Sequence, residues 1–492
     1  MSNEYQTVSG RPWEEGSDQS EVTSGSLPTP HSSLSTVHSP LPSLHSPFSP
    51  PPAPCSLPTA FHPASMPDYV PRPQLRDLQS RRLSEVVRRV YQNTELYRRR
   101  MDELGVKPDD IRSIDDIARL PFTLKTDLRD TYPFGLFASP MRDVVRLHAS
   151  SGTTGKPIVV AYTKHDIDVW AEVIVRSLVS FGLHEGDVIQ NSYGYGLFTG
   201  GLGLHYGGER LGAAVVPTSG GNTDRQIAIM QDFGVSAICC TPSYFLHILD
   251  RAAELGIDVK KLPLRVGVFG AEPWTDGMRT HIENAAGIKA FDIYGLTEIT
   301  GPGVGAECFA QQGLHIFEDH FYPEIIDPDS GRPLPDGQQG ELVLTTLSKQ
   351  GMPILRYRTR DVTSIVTSPC ACGRTIRRIR RISHRTDDMF IVRGVNVFPS
   401  QIEAALLAVE GVLPHYHIVL TREKGLDHMQ VQIEVTPELL SDRIGAMETL
   451  QGQLAHQIER TLGLHVQVTL VEPHLLPRSE GKVKRVTDER DL

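Results

Sequence analysis

The chain has 492 residues, of which 39% are hydrophobic, so it is long enough to fold as two or more domains. Its net charge of −10 argues against general binding to nucleic acid, because displacing counterions from phosphates requires a basic surface. No run of residues is apolar enough to cross a bilayer, no secretory signal pattern is present, and six cysteines are too few for a disulfide framework. We therefore expect a cytoplasmic protein with reduced thiols that binds neither nucleic acid nor membranes.

Residues 1–66 are rich in serine and proline and poor in aliphatic side chains. Such a segment buries too little apolar surface to offset its chain entropy, so we predict a disordered extension. A spacer, or an upstream extension if translation begins at Met66, is favoured over a partner-binding tail, because nothing in the segment has the spacing of a site.

Ordered structure is predicted from Leu75, where apolar residues recur at helical spacing among arginines, as in an amphipathic helix with a solvated basic face. Between about residues 140 and 380, short β-branched runs alternate with helical stretches, which indicates a mainly parallel sheet covered by helices. In chain order these runs are 158–162, 167–180, 188–193, 227–233, 237–240 and 264–269. Strands at 322–327, 341–346 and 362–366 then predict a small β-rich subdomain.

The last hundred residues follow the order of a small two-layer α+β domain. Its predicted strands and helices are 390–392, 399–407, 416–421, 429–435, 444–461 and 466–471. We place the domain boundary in the polar stretch at Arg385. The three predicted parts of the chain are therefore 1–66, 67–384 and 385–492.

The most informative segment is 150–157, with the sequence Ser-Ser-Gly-Thr-Thr-Gly-Lys-Pro. Two glycines let the backbone approach a polyphosphate, the hydroxyl groups donate hydrogen bonds, and the lysine supplies positive charge. The glycines are too close together for a Walker A loop, and Pro157 stands where that loop has Ser or Thr. Because the β-prone run 158–162 follows, we expect the loop to connect two strands.

This loop resembles the signature of the adenylate-forming superfamily of acyl-CoA ligases. Four further segments resemble superfamily motifs in the right order, namely Tyr-Gly-x-Thr-Glu at 292–298, the ribose-binding segment at 357–361, the hinge at 385–388 and the terminal lysine motif at 479–485. Within the superfamily, segments 148–157, 393–399 and 120–125 resemble phenylacetate-CoA ligases. The resemblance extends from about residue 70 to the carboxyl terminus and says nothing about the extension.

The resemblance implies an α/β fold with a large N-terminal adenylation domain, containing parallel sheets and a small β subdomain, and a small mobile α+β C-terminal domain. It also implies two reaction steps: a carboxylate attacks the α-phosphate of ATP to give an acyl-adenylate and pyrophosphate, and the thiol of coenzyme A then displaces AMP. ATP, Mg²⁺ and coenzyme A are the implied cofactors and co-substrate. The implied partner is a small aryl carboxylic acid, with phenylacetate in aromatic catabolism as the leading candidate, and a homodimer is left open.

The resemblance assigns catalytic roles to Lys482, Glu298, Thr153 and Lys156. Lys482 is expected to bridge the substrate carboxylate and the α-phosphate, although its neighbours Lys484 and Arg485 could share that role. Glu298 is expected to hold Mg²⁺, since a hard cation prefers carboxylate oxygen near phosphates. The expected nucleotide and coenzyme A contacts are Ser151, Gly152, Thr153, Thr154, Gly155, Lys156, Gly270, Ala271, Glu272, Asp292, Tyr294, Gly295, Thr297, Asp361, Arg385 and Gly394. The expected substrate pocket is formed by Tyr193, Phe198, Ala271 and Ile293.

The superfamily rotates its small domain between the two steps, and Asp387 matches the hinge position. Rotation would withdraw Lys482 and bring the loop of Gly394 to the pantetheine tunnel, although on spacing alone Gly394 is better explained as a turn glycine.

Cys370 and Cys372 flank a single residue and would be half of a tetrahedral zinc site. Cys308, or Cys240 with His247, could supply the other half, but a glycine-containing surface turn is the favoured interpretation.

Two other functional interpretations stay open. The first is ligation of another acid (benzoate, hydroxyphenylacetate or indoleacetate) or transfer to a carrier-protein thiol. The second is a non-catalytic nucleotide-binding scaffold whose extension recruits partners, and the presence of Lys482 and Glu298 counts against it.

Overall fold

The structure is a computed structural model, and the residues it describes belong to one compact unit, Pro58–Leu492. The described residues are 62–150, 157–197, 199–382, 384–386, 388–409, 412–423, 426–436, 444–478 and 483–490. Most of the predicted extension, the phosphate-binding loop at 151–156, Phe198, Asp387 and Lys482 lie outside them. The expectations placed on those residues stay predictions.

Ten α-helices lie within these described ranges, preceded by a 3-10 turn at Pro63–Tyr69. Ordered structure therefore begins earlier in the chain than Leu75, where the sequence predicted it. The helices are α1 (Arg72–Asn93), α2 (Glu95–Glu103), α3 (Lys125–Asp130), α4 (Lys164–Ser180), α5 (Gly200–Leu211), α6 (Thr223–Asp232), α7 (Pro242–Glu254), α8 (Asp276–Ala286), α9 (Pro399–Leu406) and α10 (Ile444–Leu462). No described helix is long and apolar enough to span a bilayer.

The strands form five sheets in the described part of the chain. They are β1 (Val144–Ala149), β2 (Val159–Thr163), β3 (Val188–Asn191), β4 (Ala214–Val216), β5 (Ala237–Cys240), β6 (Val266–Gly270), β7 (Lys289–Leu296), β8 (Gly301–Ala306), β9 (Leu314–Ile316), β10 (Phe321–Ile326), β11 (Gly340–Thr346), β12 (Tyr357–Thr363), β13 (Ile365–Val366), β14 (Arg378–Ile379), β15 (His384–Arg385), β16 (Phe390–Val392), β17 (Val395–Val397), β18 (Val412–Glu423), β19 (Leu426–Val435), β20 (Gln467–Val471) and β21 (Val486–Asp488).

The largest sheet has nine strands in the order β13-β14-β9-β8-β7-β6-β5-β3-β4. Strands β4, β3, β5, β6 and β7 are parallel, as the alternating pattern predicted, whereas β7, β8, β9, β14 and β13 pair antiparallel. The expectation of a mainly parallel sheet is therefore wrong for half of it. The connection from β7 to β8 spans only residues 297–300, and so short a link joins antiparallel strands because a parallel pair needs a crossover.

Local sequence explains how the helices cover this sheet. The helix α4 begins in a capping box, in which the Thr163 side chain accepts from Asp166 N and the Asp166 carboxylate accepts from Thr163 N. The glycine-rich helix α5, which periodicity did not predict, packs closely against α4. A Cβ atom at Gly203 would overlap the Trp170 ring, so only glycine allows this approach.

Two smaller sheets complete the first 385 residues. Strands β1 and β2 pair antiparallel, so the loop 150–158 does connect two strands, as predicted. The predicted β subdomain is the antiparallel sheet β10-β11-β12-β15. The single strand expected at 362–366 is wrong, because β12 ends at Thr363 and β13 lies in the nine-stranded sheet.

The carboxyl-terminal part has its own hydrophobic core, in which Ile402, Ile418, Val431, Leu454 and Ile458 are fully buried. Its sheet has the order β20-β19-β18-β21, with an antiparallel centre and parallel edge strands. The predicted α+β pattern is confirmed here. The short strands β17 and β21 were not predicted.

Candidate active site

Three of the predicted nucleotide-binding residues meet beside the carboxyl end of β7. Tyr294 lies on β7, and Asp361 lies on β12 directly opposite Arg385 on β15. The Tyr294 hydroxyl donates to Asp361 Oδ2 at 2.6 Å, and Arg385 Nη1 is 3.5 Å from Asp361 Oδ1. Burial and the Asp361 carboxylate raise the pKa of Tyr294 well above 10, so its hydroxyl remains a donor and orients the carboxylate.

Glu298, the predicted magnesium ligand, lies just beyond β7 and is 8% exposed. Its Oε1 accepts from the Tyr357 hydroxyl at 3.2 Å, while Oε2 has no hydrogen-bond partner among the described residues. Burial and the Glu298 carboxylate raise the pKa of Tyr357 well above 10. Tyr357 was part of the ribose-binding motif, but sequence reasoning gave it no role.

The glycines predicted at this site allow backbone segments to approach closely. A Cβ atom at Gly295 would overlap the Gly301 carbonyl, and one at Gly270 would overlap the Ile293 carbonyl. Without side chains at these positions, β7 passes close to β6 and to the start of β8. Thr297 and Glu298 therefore leave the sheet at its carboxyl edge, where α/β folds bind ligands. Thr297 Oγ1 lies 3.3 Å from Thr199 Oγ1.

Glu272 was expected to contact adenine, but its carboxylate binds two backbone amides. Oε1 accepts from Ser243 N, at the start of α7, at 2.8 Å, and Oε2 accepts from Val483 N at 3.3 Å. Burial raises the pKa of Glu272, while Arg485 lowers it. Because Val483 directly follows Lys482, Glu272 attaches the segment after the predicted catalytic lysine to the large part of the molecule.

Further polar contacts join the carboxyl-terminal part to α7. Asp250 Oδ2 is 3.1 Å from His415 Nε2 and 3.3 Å from Arg478 Nη2, and Glu254 Oε1 is 3.2 Å from His474 Nε2. Each of these pairs is partly exposed to solvent. Water can replace these three pairs, whereas the same interface also contains Leu407, which packs on the apolar core of the large part, and the buried Glu403, which accepts from Thr275 N at 3.3 Å.

Asp292 is held in a charged network beside this site. Its Oδ2 is 3.3 Å from Arg381 Nε, and its backbone amide donates to Glu307 Oε2 at 2.8 Å. Glu307 is in turn paired with Arg279 at 2.8 Å. Asp292 is thus already bound to Arg381, a residue for which the sequence motifs gave no signal.

Of the predicted substrate residues that the structure describes, Tyr193 follows β3, Ala271 follows β6 and Ile293 lies within β7. The Tyr193 side chain and Ile293 are buried, and the Tyr193 hydroxyl has no hydrogen-bond partner among the residues that the structure describes. Burial raises the pKa of Tyr193 well above 10. Ala271 is exposed and has a φ of +69°, a left-handed conformation that costs energy in a residue with a Cβ atom.

A buried lysine binds the backbone directly after Glu298, and sequence reasoning missed this residue. Lys349 Nζ donates to the carbonyl of Ile299, the residue after Glu298, at 2.5 Å, and lies 4.6 Å from the Tyr162 ring centroid. Burial lowers the pKa of Lys349 to about 8. Its position in a polar connection offered no sequence signal of burial.

Gly394 lies in the hairpin between β16 and β17, and both Arg393 and Gly394 have positive φ, at 49° and 81°. This is the backbone of a two-residue hairpin turn that favours glycine, so the turn explanation accounts for its conformation. A Cβ atom there would meet no atom within 4 Å. Its predicted role toward coenzyme A stays a prediction.

The two cysteines of the predicted half-site have two neighbours, of which the sequence predicted one. His315 and Cys308 lie beside Cys370 and Cys372, whereas Cys240 and His247 do not belong to this group. The alternative with Cys240 and His247 is therefore wrong, and Cys308 is correct. His315 was missed because it lies more than fifty residues from the Cys-x-Cys pair in the sequence.

Comparison with known proteins assigns a class to this fold and site. A family model for the AMP-binding enzyme matches residues 85–348, and one for the AMP-binding enzyme C-terminal domain matches residues 394–490. The chain is thus an AMP-binding enzyme by fold and by sequence.

Individual relatives define the family more closely. The chain is 50% identical to the phenylacetate-coenzyme A ligase of Thermus thermophilus, over 86% of this chain and 98% of the relative. It is 51% identical to the phenylacetate-coenzyme A ligase of Pseudomonas putida, over 85% of this chain and 94% of the relative. The chain belongs to the phenylacetate-coenzyme A ligase family of AMP-binding enzymes.

A solved structure of another ligase bears on the domain arrangement. Crystals of 2-hydroxyisobutyryl-CoA ligase in the postadenylation state match with a TM-score of 0.82 at 27% identity, over 88% of this chain and 95% of that chain. The same ligase in the thioesterification state matches with a TM-score of 0.63 at 29% identity, over 86% and 92%. The arrangement of this chain is therefore more similar to the postadenylation state.

Proposed function

We propose that this protein is an ATP-dependent phenylacetate-CoA ligase that converts phenylacetate, ATP and coenzyme A to phenylacetyl-CoA, AMP and pyrophosphate. Identity of about one half to two phenylacetate-coenzyme A ligases, over nearly their full length, supports the substrate. The observation that carries the reaction type is the cluster of Tyr294, Asp361 and Arg385 beside Glu298, with the segment after Lys482 attached nearby through Glu272.

In the first step a substrate carboxylate oxygen attacks the α-phosphorus, and the bond to the β-phosphate oxygen breaks. We assign Asp361 to the ribose hydroxyls, because a carboxylate oriented by Tyr294 and Arg385 can accept two hydrogen bonds. Thr153, Lys156 and the neighbouring amides would hold the β- and γ-phosphates, and Lys482 would neutralise the two anions as they meet.

Glu298 fits a magnesium ligand. Its carboxylate lies at the carboxyl edge of the sheet, one oxygen is oriented by Tyr357, and the other has no hydrogen-bond partner among the described residues. A hard cation prefers such an oxygen, and when bound it would offset the charge of the phosphates.

In the second step the thiol sulfur of coenzyme A attacks the acyl carbon, AMP leaves, and one proton is released. We propose that the carboxyl-terminal part rotates about Asp387 beforehand, because Lys482 must leave before a thiol can enter from the same side. The polar interface at Asp250 and Glu254 can separate at modest cost. Cytoplasmic location and a homodimer also remain proposals.

The test is pyrophosphate release by the purified chain with ATP, Mg²⁺ and a panel of acids, with and without coenzyme A. We expect release with phenylacetate, and thioester only when coenzyme A is present. The matched control is Glu298→Gln, which should abolish release if it comes from this protein rather than from a contaminant. Faster release with benzoate, hydroxyphenylacetate or indoleacetate would contradict the substrate, and no release with any acid would favour the scaffold interpretation.

A further inference from the structure

Four potential metal ligands come together at the antiparallel edge of the nine-stranded sheet, away from the residues assigned to ATP. Cys308 follows β8, His315 lies on β9, and Cys370 and Cys372 lie in the connection between β13 and β14. Two strand connections and the strand β9 therefore supply the four groups. Three cysteines and one histidine form a ligand set that structural zinc sites use.

The distances fit one tetrahedral ion. Cys308 Sγ lies 3.6 Å from Cys370 Sγ, Cys372 Sγ lies 3.3 Å from His315 Nε2, and all four ligand atoms lie within 4.8 Å of one another. Zinc bonds of about 2.3 Å to sulfur and about 2.0 Å to nitrogen place neighbouring tetrahedral ligands about 3.5–3.8 Å apart. The thiols need only small shifts to receive the ion.

The surroundings also favour a metal. Cys308 and His315 are buried, and in the part of the chain that the structure describes, the only polar partner of the imidazole is the Cys372 sulfur. Arg374 and Arg378 lie beside Cys372 and Cys370, where they would offset the net negative charge of three thiolates around Zn²⁺. Gly373, with a φ of +78°, lets the chain turn back so that its amide donates to the Cys370 carbonyl at 3.0 Å.

We propose that Cys308, His315, Cys370 and Cys372 bind one structural Zn²⁺. The four protein ligands complete the coordination and leave no position for a substrate, which distinguishes a structural from a catalytic zinc site. The ion fastens the β13–β14 connection to β8 and β9. This inference does not depend on the proposed reaction, because metal content is measured without any substrate.

The first experiment is elemental analysis of the full chain, purified without chelator and dialysed against metal-free buffer. We expect about one zinc per chain, and release of that zinc when a mercurial reagent has modified about three thiols. Cobalt-substituted protein should show the thiolate-to-cobalt charge transfer and intense visible bands of a tetrahedral site. Wild-type protein without zinc, even when supplied with zinc during expression, would overturn the proposal, as would a Cys308–Cys370 disulfide.

Variants then locate the ion. Cys372→Ser and His315→Ala should lose most of the bound zinc and lower the melting temperature, whereas the matched control Cys239→Ala, which removes a buried thiol on β5, should keep it. If a ligand variant does not fold, the wild-type zinc content and thiol titration still decide the proposal. Full zinc content in a folded Cys372→Ser variant would overturn it.

Discussion

The two regions that border the active site are held in different ways. On one side, Asp361 and Glu298 extend from strands of the large part and are fixed by the buried hydroxyls of Tyr294 and Tyr357. On the other side, the segment that follows Lys482 is attached through the Val483 amide to Glu272, while His415 and Arg478 form partly exposed pairs with Asp250 of α7.

This difference shows which part of the site can change between steps. Tyr294 and Asp361 lie in hydrogen-bonded strands, so moving them would break a sheet. The contacts of Asp250 and Glu254 with the carboxyl-terminal part are polar and partly exposed, so water can replace them when they separate. A protein that carries out two reactions in one pocket needs one side of that pocket to stay fixed and the other side to separate. The strands of the large part and the contacts of the carboxyl-terminal part have these two properties.

The largest effect is expected from a substitution in the carboxyl-terminal part, the side that separates. Lys482→Ala should slow adenylation by about 100- to 1,000-fold, because a positive charge that stabilises the transition state is lost. Pyrophosphate release would measure this step, and thioester formation from supplied phenylacetyl-AMP should remain. The matched control is Lys484→Ala, an exposed lysine nearby. Full adenylation by Lys482→Ala, or equal loss in both variants, would refute the assignment.

In the large part, the side that stays fixed, Asp361→Asn should raise the KM for ATP by about 10- to 100-fold, since two charge-assisted hydrogen bonds to ribose become weaker. Tyr294→Phe keeps the carboxylate and removes only the hydroxyl that orients it, so its KM should rise less. Steady-state kinetics with varied ATP would measure both. An unchanged KM in Asp361→Asn would exclude a ribose contact.

A smaller effect is expected at the interface itself. Asp250→Asn removes the charge that faces His415 and Arg478, and should slow adenylation by about 3- to 10-fold while sparing thioester formation from supplied phenylacetyl-AMP. Asp224→Asn is the matched control, because that carboxylate lies on α6 and pairs with Arg251 of α7, within the large part of the molecule. An equal loss in both half-reactions would indicate a folding defect instead of a shifted domain arrangement.

The smallest effect concerns Lys349, whose Nζ donates to the backbone next to Glu298 in the large part. Because burial lowers the pKa of Lys349 from 10.5 to about 8, the unfolded chain binds more protons between these values, and this lysine makes the free energy of unfolding rise with pH. Urea unfolding at about pH 7.5 and about pH 9.5 should show that rise in wild type and a smaller one in Lys349→Met. The exposed Lys164→Met should behave like wild type, and identical pH dependence in all three would contradict the prediction.

Much of the fold could be predicted because its elements have clear periodicity. The run 237–240 is β5 and the helix predicted at 399–407 is α9, and both are buried patterns of ordinary length. The antiparallel half of the large sheet could not be predicted, because β8 is glycine-rich, β9 has only three residues, and their pairing depends on connections. The helix α5 was missed because its glycines oppose helix formation, and only tertiary packing explains them, such as that of Gly203 on Trp170 and of Gly207 on Ile174.

For the site, motifs predicted residues that the fold brings together, such as Tyr294, Asp361 and Arg385. They did not predict partners distant in sequence. The contact of Glu272 with Val483 joins segments about two hundred residues apart, and Lys349 lies in a connection whose burial only the tertiary structure determines. A single sequence carries the chemistry of each residue but not its neighbours.

The pairing of β15 with β12 has a mechanical consequence. Arg385 is the last residue of β15, it lies opposite Asp361, and the proposed pivot at Asp387 follows two residues later. The proposed pivot of the rotation therefore lies two residues from the strand pair that holds Asp361, the carboxylate assigned to the ribose. In this arrangement, AMP would stay close to the pivot while the rest of the small domain rotates around it. The bound nucleotide would therefore keep its position while the rotation brings the thiol of coenzyme A to the acyl group.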